Sequence, residues 1–302
     1  KLIKTKLSLY FKGTLMGIAE IIPGVSGGTV AFISGIYEEL ISSIKSVDLN
    51  AFKYIFKFQL NKFWSHINGN FLLTLLLGMV TSILLFSKFI TYLLDFHPYK
   101  IWGLFFGLII SSAIFILKKI ENIGLSSIFS LLIGLLIASF ISLVSPSATS
   151  NSALSIFSSG AIAISAMILP GISGSFILVF LSKYEFILNA LNEFNVEVIT
   201  IFLLGCIFGL VFFSRIITFL FDKYSQVVIS LLVGFLFGSL IKIWPFFEVL
   251  EYNQKNEPIY TRPMLPTMDQ SLDIMYFLIF TILGILSMWF IEKKLLHSNL
   301  EK

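Results

Sequence analysis

An apolar stretch at residues 13–44 is interrupted by the segment Pro23-Gly24-Val25-Ser26-Gly27-Gly28-Thr29. Proline removes a backbone donor and glycine frees the chain from helical geometry, so this segment ends any helix that enters it. A second apolar stretch, residues 152–191, has the same interruption at Pro170-Gly171-Ile172-Ser173-Gly174-Ser175. Each stretch is longer than one crossing of a bilayer and shorter than two. We therefore expect two re-entrant hairpins, each with two half-helices and a turn near the middle of the membrane.

The composition is that of an integral membrane protein. Hydrophobic residues make up 57% of the 302 residues and charged residues 13%, about half of the roughly 25% found in a soluble domain. Six further segments are apolar over approximately the length that crosses a bilayer: 71–94, 101–117, 125–144, 199–221, 226–247 and 272–291. We therefore predict an all-α polytopic membrane protein with these six segments as transmembrane helices.

Cysteine and histidine are too sparse for a disulfide framework or a metal site. The chain has one cysteine, Cys206, and three histidines, which lie in loops or in the C-terminal tail. The net charge of +4 is explained by basic cytoplasmic loops and needs no nucleic acid. We expect neither a cofactor nor a metal.

The two halves of the chain match beyond their interruptions. Tyr37 and Glu38 recur with the first break at an offset of 147 residues, as Tyr184 and Glu185. At an offset of 127, Gly78, Lys88 and Asp95 recur as Gly205, Arg215 and Asp222. Residues 1–144 and 152–302 therefore form two repeats, each with one hairpin and three crossings. An odd number of crossings inverts the second repeat, as in many secondary transporters; a duplicated scaffold without transport is the alternative.

The charges of the loops orient the repeats. Lysines are concentrated in the N-terminal segment, in the loop after the first hairpin and in the C-terminal tail, so both termini are expected in the cytoplasm. The loop at 145–151 is uncharged and the loop at 248–271 has excess acid, as expected for the exterior. Hairpins that cross the membrane twice fit these charges equally well, but the central position of the breaks favours re-entry.

The two breaks are candidate anion sites. The N-terminal end of a helix has unsatisfied N–H groups and partial positive charge, which suits a phosphate or a carboxylate. After each break a new half-helix begins with serine and glycine, so the candidate ligands are Ser26, Gly27, Gly28 and Thr29 in the first hairpin and Ser173, Gly174 and Ser175 in the second. The alternative is a kink in which glycine serves only close packing against a neighbour.

Five charged residues complete the candidate site. Lys88 and Arg215 lie within predicted crossings, where charges are costly and usually face a partner or a wet cavity. The inverted repeats would place one cation on each approach to a central site; snorkelling to head groups is the alternative. Glu20, three residues before Pro23, is expected either to bind a proton or to cap nearby donors. Glu38 and Glu185 are further candidates for proton coupling, or are interfacial anchors.

These motifs resemble those of the bacterial polyprenyl-phosphate transporter family, formerly a family of unknown function. The residues concerned are Gly17-Ile-Ala-Glu20-Ile-Ile-Pro23-Gly24-Val-Ser26-Gly27-Gly28-Thr29, Gly35-Ile-Tyr37-Glu38, and the second copy at Leu169–Ser175 with Tyr184-Glu185. The resemblance covers essentially the whole chain. It implies translocation of undecaprenyl phosphate, the C55 lipid of cell-wall synthesis, from the outer to the inner leaflet of the cytoplasmic membrane for reuse.

Other functions stay open at the level of the sequence. A carrier of small soluble anions would share the half-helix site but would need a cavity closed to lipid. We expect no enzymatic activity, because the sparse polar residues offer no His/Asp or Cys/His constellation. A channel, the oligomeric state and the coupling ion are not decided by these residues.

Overall fold

The computed structural model describes residues 2–22, 25–118, 120, 124–143, 150–252 and 258–300. Most of these residues are helical. In chain order the helices are α1 Leu2–Ile21, α2 Gly27–Ile33, α3 Tyr37–Lys45, α4 Leu49–Phe56, α5 Leu60–His66, α6 Gly69–Phe96, α7 Pro98–Leu117, α8 Leu125–Leu143, α9 Ala153–Ile168, α10 Gly174–Phe180, α11 Tyr184–Asn192, α12 Val196–Ser239 and α13 Ser271–Leu300. Two strands, β1 Phe247–Tyr252 and β2 Pro258–Pro263, and a 3-10 helix at Met268–Gln270 lie between α12 and α13.

The chain divides into two compact units, and each takes residues from both halves of the sequence. The first unit comprises residues 1–87 and 146–225, and the second comprises residues 88–145 and 226–302. Both helix breaks therefore belong to the first unit. The helices α6 and α12 each continue from the first unit into the second.

Five helical segments among the described residues are long and apolar enough to cross a membrane. They are α6, α7, α8, α12 and residues 268–290. Four of the six predicted crossings correspond to α6, α7, α8 and α13. The other two, 199–221 and 226–247, lie in α12, where the backbone departs from helical geometry at Tyr224 (φ −138°, ψ 42°). The chain is thus a multi-pass, mostly helical membrane protein.

The predicted crossing at 226–247 is too long at its C-terminal end. The helix ends at Ser239, and the described residues that follow include an antiparallel pairing of β1 with β2, in which Phe247 lies opposite Pro263. Pro245 explains part of the difference, because proline disfavours helix at itself and at the residue before it. The structure is therefore not purely α-helical, and the loop predicted at 248–271 contains a β-hairpin.

The two breaks have the same local architecture. The first interrupts the chain between α1 and α2, with Pro23 and Gly24 outside the described residues; the second, between α9 and α10, has Gly171 at a positive φ of 86°. After each break comes a seven-residue helix, a turn and a nine-residue helix. The axes of α10 and α11 differ by 106°. The pair is therefore sharply bent.

The extent of the first hairpin differs from the prediction. Residues 13–44 were expected to contain it, but α1 begins at Leu2 and α3 ends at Lys45. The lysines near the N-terminus do not stop the helix, because lysine is a good helix former. Residues 152–191, predicted to form the second hairpin, contain α9, α10 and α11; that they form a re-entrant hairpin stays a prediction.

Helix packing in the first unit repeats with the sequence. A Cβ added at Gly13 would meet the backbone of Leu75, and one added at Gly78 would meet the backbone of Tyr10, so α1 and α6 approach closely. At the equivalent positions, Gly160 faces Phe202 and Gly205 faces Phe157, between α9 and α12. The offsets are 147 for the first helix of each pair and 127 for the second. The repeat is therefore present in the packing as well as in the sequence.

In the second unit, close helix contacts join the two halves of the sequence. Gly134 of α8 lies against Leu231 of α12, and Gly284 of α13 lies against Leu104 of α7. Each pair therefore combines one helix from the first half with one from the second. The repeat offset of 127 relates Leu104 to Leu231. The backbone supports the same offset, because His97 has φ −138° and ψ 45°, nearly the angles of Tyr224.

Candidate substrate site at the helix breaks

The two helix breaks contact each other in the first unit. The hydroxyl of Ser26 donates to the carbonyl oxygen of Met167 at 3.1 Å. The N–H of Gly171 donates to the hydroxyl of Thr29 at 2.8 Å. Ser26 and Thr29 are each only 1% exposed. Two of the predicted ligands of the first break therefore bind the backbone of the second.

Glycine allows the breaks to approach closely. A Cβ on Gly28 would lie 2.8 Å from the carbonyl oxygen of Ile168 and 2.9 Å from that of Met167. A Cβ on Gly174 would lie 2.8 Å from the carbonyl oxygen of Ala163. All three oxygens belong to the backbone and cannot rotate away. Close packing, the alternative considered from the sequence, is therefore a role that these glycines have.

A carboxylate occupies the N-terminal end of α2. Oε1 of Glu20 accepts a hydrogen bond from the N–H of Gly27 at 2.7 Å. The N–H of Gly28 donates to the Ser26 hydroxyl at 3.1 Å, and the N–H of Thr29 donates to the Ser26 carbonyl at 2.9 Å. The Glu20 carboxylate and the Ser26 hydroxyl and carbonyl oxygens thus accept from the first three N–H groups of α2. In this conformation the Glu20 carboxylate caps the N-terminal end of α2. The sequence had suggested that an external anion binds at this end.

The second break has hydroxyls but no equivalent carboxylate. The hydroxyls of Ser173 and Ser175 are 2.8 Å apart, and the Ser173 side chain makes no capping bond to α10. Ser175 is exposed, whereas Ser173 is buried. The position equivalent to Glu20 is Met167. The second break therefore lacks the negative charge that Glu20 contributes to the first.

The two predicted cations lie in different units. Arg215 lies on α12 in the first unit and Lys88 on α6 in the second, and both side chains are exposed. Exposure fits either contact with lipid head groups or contact with an incoming anion. A path between these two cations stays a prediction.

Two other lysines hold the turns that follow the short helices. Nζ of Lys12 donates to the carbonyl oxygen of Ser34 at 2.7 Å, in the turn after α2. Lys183, in the turn after α10, is fully buried and donates to Ser150 O and Asn151 Oδ1, each at 2.7 Å. Sequence reasoning missed both residues. Lys183 could have been found as a lysine inside the apolar stretch 152–191, whereas Lys12 precedes the stretch 13–44 and gave no such signal.

The remaining acidic candidates lie away from the breaks along the chain. Glu38 and Glu185 occupy the first turns of α3 and α11, and both are exposed. A carboxylate at this position stabilises the positive end of a helix. No group of three histidine, cysteine or acidic residues suited to a metal occurs within the described ranges.

The repeated helix breaks, the five described helical segments long enough to cross a membrane and the contact between the breaks are features of a helical multi-pass membrane protein that many secondary transporters share. The chain belongs to the undecaprenyl phosphate translocase-like family, whose sequence model matches residues 16–260. That match includes both breaks and the repeat.

Two curated relatives are similar over most of their lengths. The polyprenyl-phosphate transporter of Vibrio cholerae is 43% identical over 265 residues, which cover 86% of this chain and 86% of the relative. The polyprenyl-phosphate transporter of Staphylococcus aureus is 32% identical over 253 residues, which cover 78% of this chain and 84% of the relative. No solved structure matches the chain significantly.

Proposed function

We propose that this protein moves undecaprenyl phosphate from the outer to the inner leaflet of the bacterial cytoplasmic membrane, where the lipid is reused in envelope synthesis. The observation on which the proposal rests most is the match to two polyprenyl-phosphate transporters over most of the chain. The direct contact between the breaks supports it, because a repeated broken-helix centre is a usual substrate site in transporters. The apolar tail would stay in lipid while the head group passes through protein.

We further propose that the two repeats have opposite orientations in the membrane. One hairpin and three crossings per repeat would invert the second copy, and the distribution of lysines would place both termini in the cytoplasm. The exchange of partners between the halves in the second unit supports this proposal, because inverted repeats commonly pack around a shared pseudo-two-fold axis. Both hairpins would then be re-entrant and would enter from opposite faces.

The second break is the proposed binding place for the phosphate. Ser173 and Ser175 supply hydroxyls, Gly174 lets the chain approach closely, and no carboxylate corresponds to Glu20. Arg215, on the helix that packs against α9, is the proposed cation of the cytoplasmic approach, and Lys88 that of the exterior approach. Residues 26–29 hold the second break in place through Ser26 and Thr29.

Transport requires a second conformation. The difference in hydrogen bonding between the two breaks suggests which hydrogen bond forms in that conformation. At present Ser26 binds the carbonyl of Met167, whereas its counterpart Ser173 binds Ser175. The offset of 147 makes Glu20 the counterpart of Met167. We therefore propose that Ser173 donates to the backbone carbonyl of Glu20 in the other state, with the two breaks exchanging roles.

Glu20 is the proposed coupling residue. When it loses its charge, its hydrogen bond with the Gly27 N–H weakens and an anion is repelled less. A proton bound at Glu20 would therefore favour entry of the phosphate. The variant Glu20→Gln keeps the shape and removes the titration, so its transport should no longer respond to a pH gradient. A wild-type response in Glu20→Gln would reject this role.

The substrate assignment is tested with serine variants in proteoliposomes. We expect Ser173→Ala/Ser175→Ala to slow the translocation of a fluorescent polyprenyl phosphate by about tenfold or more, since a lost hydrogen bond to a charged group is worth roughly 1.5–3 kcal/mol. The matched control is Ser287→Ala, an exposed serine of α13 whose hydroxyl bonds only within its own helix. Equal rates for the double variant and the control would contradict a phosphate site at the second break.

A further inference from the structure

Residues 49–66, which comprise α4 and α5 and are called here the α4–α5 segment, expose many large apolar side chains. Leu49 is 76% exposed, Phe56 80% and Phe58 89%. Phe52, Ile55, Leu60 and Trp64 are also exposed. The two helices have eight and seven residues, so at about 1.5 Å per residue neither can cross a bilayer of ~30 Å. A membrane crossing therefore does not explain the exposed apolar side chains of these two helices.

The apolar side chains of α4 form one face. Leu49, Phe52 and Phe56 follow the i, i+3, i+7 spacing of a single helix face, while Ala51 is buried on another side. Lys53 and Lys57 each follow a face residue by one position and lie on its flank. An apolar face with lysines at its border is the pattern of a helix that lies flat in a membrane interface.

The segment is basic and contains no acidic residue. Between Asp48 and Asp95 the sequence has neither aspartate nor glutamate, whereas Lys53, Lys57 and Lys62 are all exposed. The carboxylate of Asp48 is already engaged by α4 and by His66 at 3.0 Å. Glu39, on the neighbouring α3, accepts from the Asn68 side chain at 3.1 Å. The exposed lysines thus form a positive surface beside the aromatic residues.

Local contacts fix this segment at the point where α6 begins. Nε1 of Trp64 donates to Oδ1 of Asn70 at 3.1 Å, in the first turn of α6. A Cβ on Gly69 would collide with the Trp64 ring. Only two residues separate α5 from α6, a 28-residue helix long enough to cross the membrane. The α4–α5 segment therefore lies beside the surface at which α6 enters the bilayer.

We propose that the α4–α5 segment lies in the head-group layer of the leaflet at which α6 begins, and that it binds anionic phospholipids there. Its phenylalanine, leucine and tryptophan side chains would enter the boundary of the acyl chains, where Trp is favoured, and its lysines would reach the lipid phosphates. A bilayer surface satisfies both the apolar face and the adjacent positive charge. The segment would anchor the first hairpin, because the Asn68 side chain bonds Glu39 and Ser43 of α3.

The position of the segment is tested with single fluorescent probes on the full-length protein in nanodiscs. In a Cys206→Ala background, Phe56→Cys would carry the probe on the apolar face and Ser65→Cys would carry it on the exposed polar side of α5. We expect the probe at 56 to be quenched by lipids with a quencher near the head group, and the probe at 65 by an aqueous quencher. If the probe at 56 is as accessible to the aqueous quencher as the probe at 65, the surface is free for a protein partner and the proposal is wrong.

The lipid preference is tested by removing the lysines. In the probe-labelled Phe56→Cys protein with all of its lysines, we expect quenching at position 56 to increase when phosphatidylglycerol is added to phosphatidylcholine. The variant Lys53→Gln/Lys57→Gln/Lys62→Gln should lose this increase, since three lysines near an anionic surface strengthen partitioning by on the order of a hundredfold. The charge-matched control, Lys118→Gln/Lys223→Gln/Lys293→Gln, removes three exposed lysines elsewhere and should keep it. An increase that survives in the first variant, with an unchanged thermal unfolding temperature, contradicts the assignment to anionic lipid.

Discussion

At the scale of single residues, glycine and carboxylate decide how the first break is built. Gly28 leaves room for the carbonyl oxygens of Ile168 and Met167, and Glu20 takes the N–H of Gly27. The sequence predicted that these residues matter but left two roles open for each. The partners of Gly28 lie at the other break and that of Glu20 lies across the first break, at Gly27, and no periodicity within a helix specifies either contact.

The close contact at Gly28 predicts a specific intolerance. Gly28→Ala should destabilise the protein by about 1–3 kcal/mol, because the added methyl group meets two backbone oxygens that cannot move aside. The measurement is the thermal unfolding temperature in detergent, together with transport. Gly124→Ala is the matched control, since its nearest atom would be the Ser126 hydroxyl at 3.9 Å. A Gly28→Ala protein as stable and as active as this control would contradict the packing.

Asp48 predicts a pH-dependent helix cap outside the membrane-crossing segments. Hydrogen bonding from the Ala51 N–H, and further from His66 and the Asn50 N–H, lowers the pKa of the Asp48 carboxyl below its ordinary value. A lowered folded-state pKa stabilises the cap above the ordinary value of about 3.9, and this stabilisation is lost as the pH falls through the folded-state value. Asp48→Ala should therefore speed hydrogen exchange in the first turn of α4 by about fivefold at neutral pH, and by less near pH 3.

The control for this prediction is Asp48→Asn. Asparagine caps helices nearly as well as aspartate but has no charge to titrate. Its exchange rates should resemble wild type at neutral pH and should lack the change in acid. If Asp48→Asn exchanged as fast as Asp48→Ala at neutral pH, a hydrogen-bonded cap would not describe this site.

At the scale of the elements, long apolar helices and Pro-Gly breaks could be predicted from the sequence, and elements that depend on distant partners could not. The second break ends α9 because Pro170 removes a backbone donor and Gly171 has a positive φ of 86°, which an α-helix does not contain. The strands β1 and β2 pair across 247–263, and residues 240–247 were counted as helix only because they are apolar. The short helices α4 and α5 depend on Asp48, His66 and Trp64, whose contacts join separate segments.

In the second unit, helices from different halves of the sequence pack against each other. This packing predicts that substitutions of the contact glycines in the two halves destabilise the protein to a similar degree. Gly134→Leu and Gly284→Leu should each destabilise the protein by a similar amount, because Gly134 faces Leu231 as Gly284 faces Leu104. Insertion of a large side chain between two backbones costs typically about 1–3 kcal/mol, or more. Thermal unfolding of both variants beside Ser126→Leu, at an exposed position of α8, checks this. A large effect at one glycine and none at the other would argue against equivalent packing.

At the scale of the whole molecule, each half of the sequence contributes a helix break to the first unit and helices long enough to cross a membrane to the second. The repeat offsets of 147 and 127 recur in helix bounds, in glycine contacts and in the backbone angles at His97 and Tyr224. The repeat could be predicted from the sequence because its motifs align without gaps. The division into units could not, because its boundary within α6 leaves no interruption in the helix.

The proposed exchange of the breaks predicts a second hydrogen bond between them. If Ser173 reaches the Glu20 carbonyl in the other state, a disulfide between cysteines placed at 20 and 173 should form in a fraction of molecules. Cross-linking of Ser26→Cys/Met167→Cys tests the present state in the same way, with Cys206→Ala in both proteins. Absence of the 20–173 cross-link under conditions that cross-link positions 26 and 167 would contradict the exchange of partners.

The most direct test of the central claim is translocation of undecaprenyl phosphate by the purified protein in liposomes. A fluorescent polyprenyl phosphate placed in the outer leaflet should become protected from an impermeant quencher faster with protein than in empty liposomes. Excess soluble phosphate should compete weakly, because the lipid concentrates its own head group at the membrane. Protection no faster than in empty liposomes, or soluble phosphate transported while the lipid stays in place, would contradict the account.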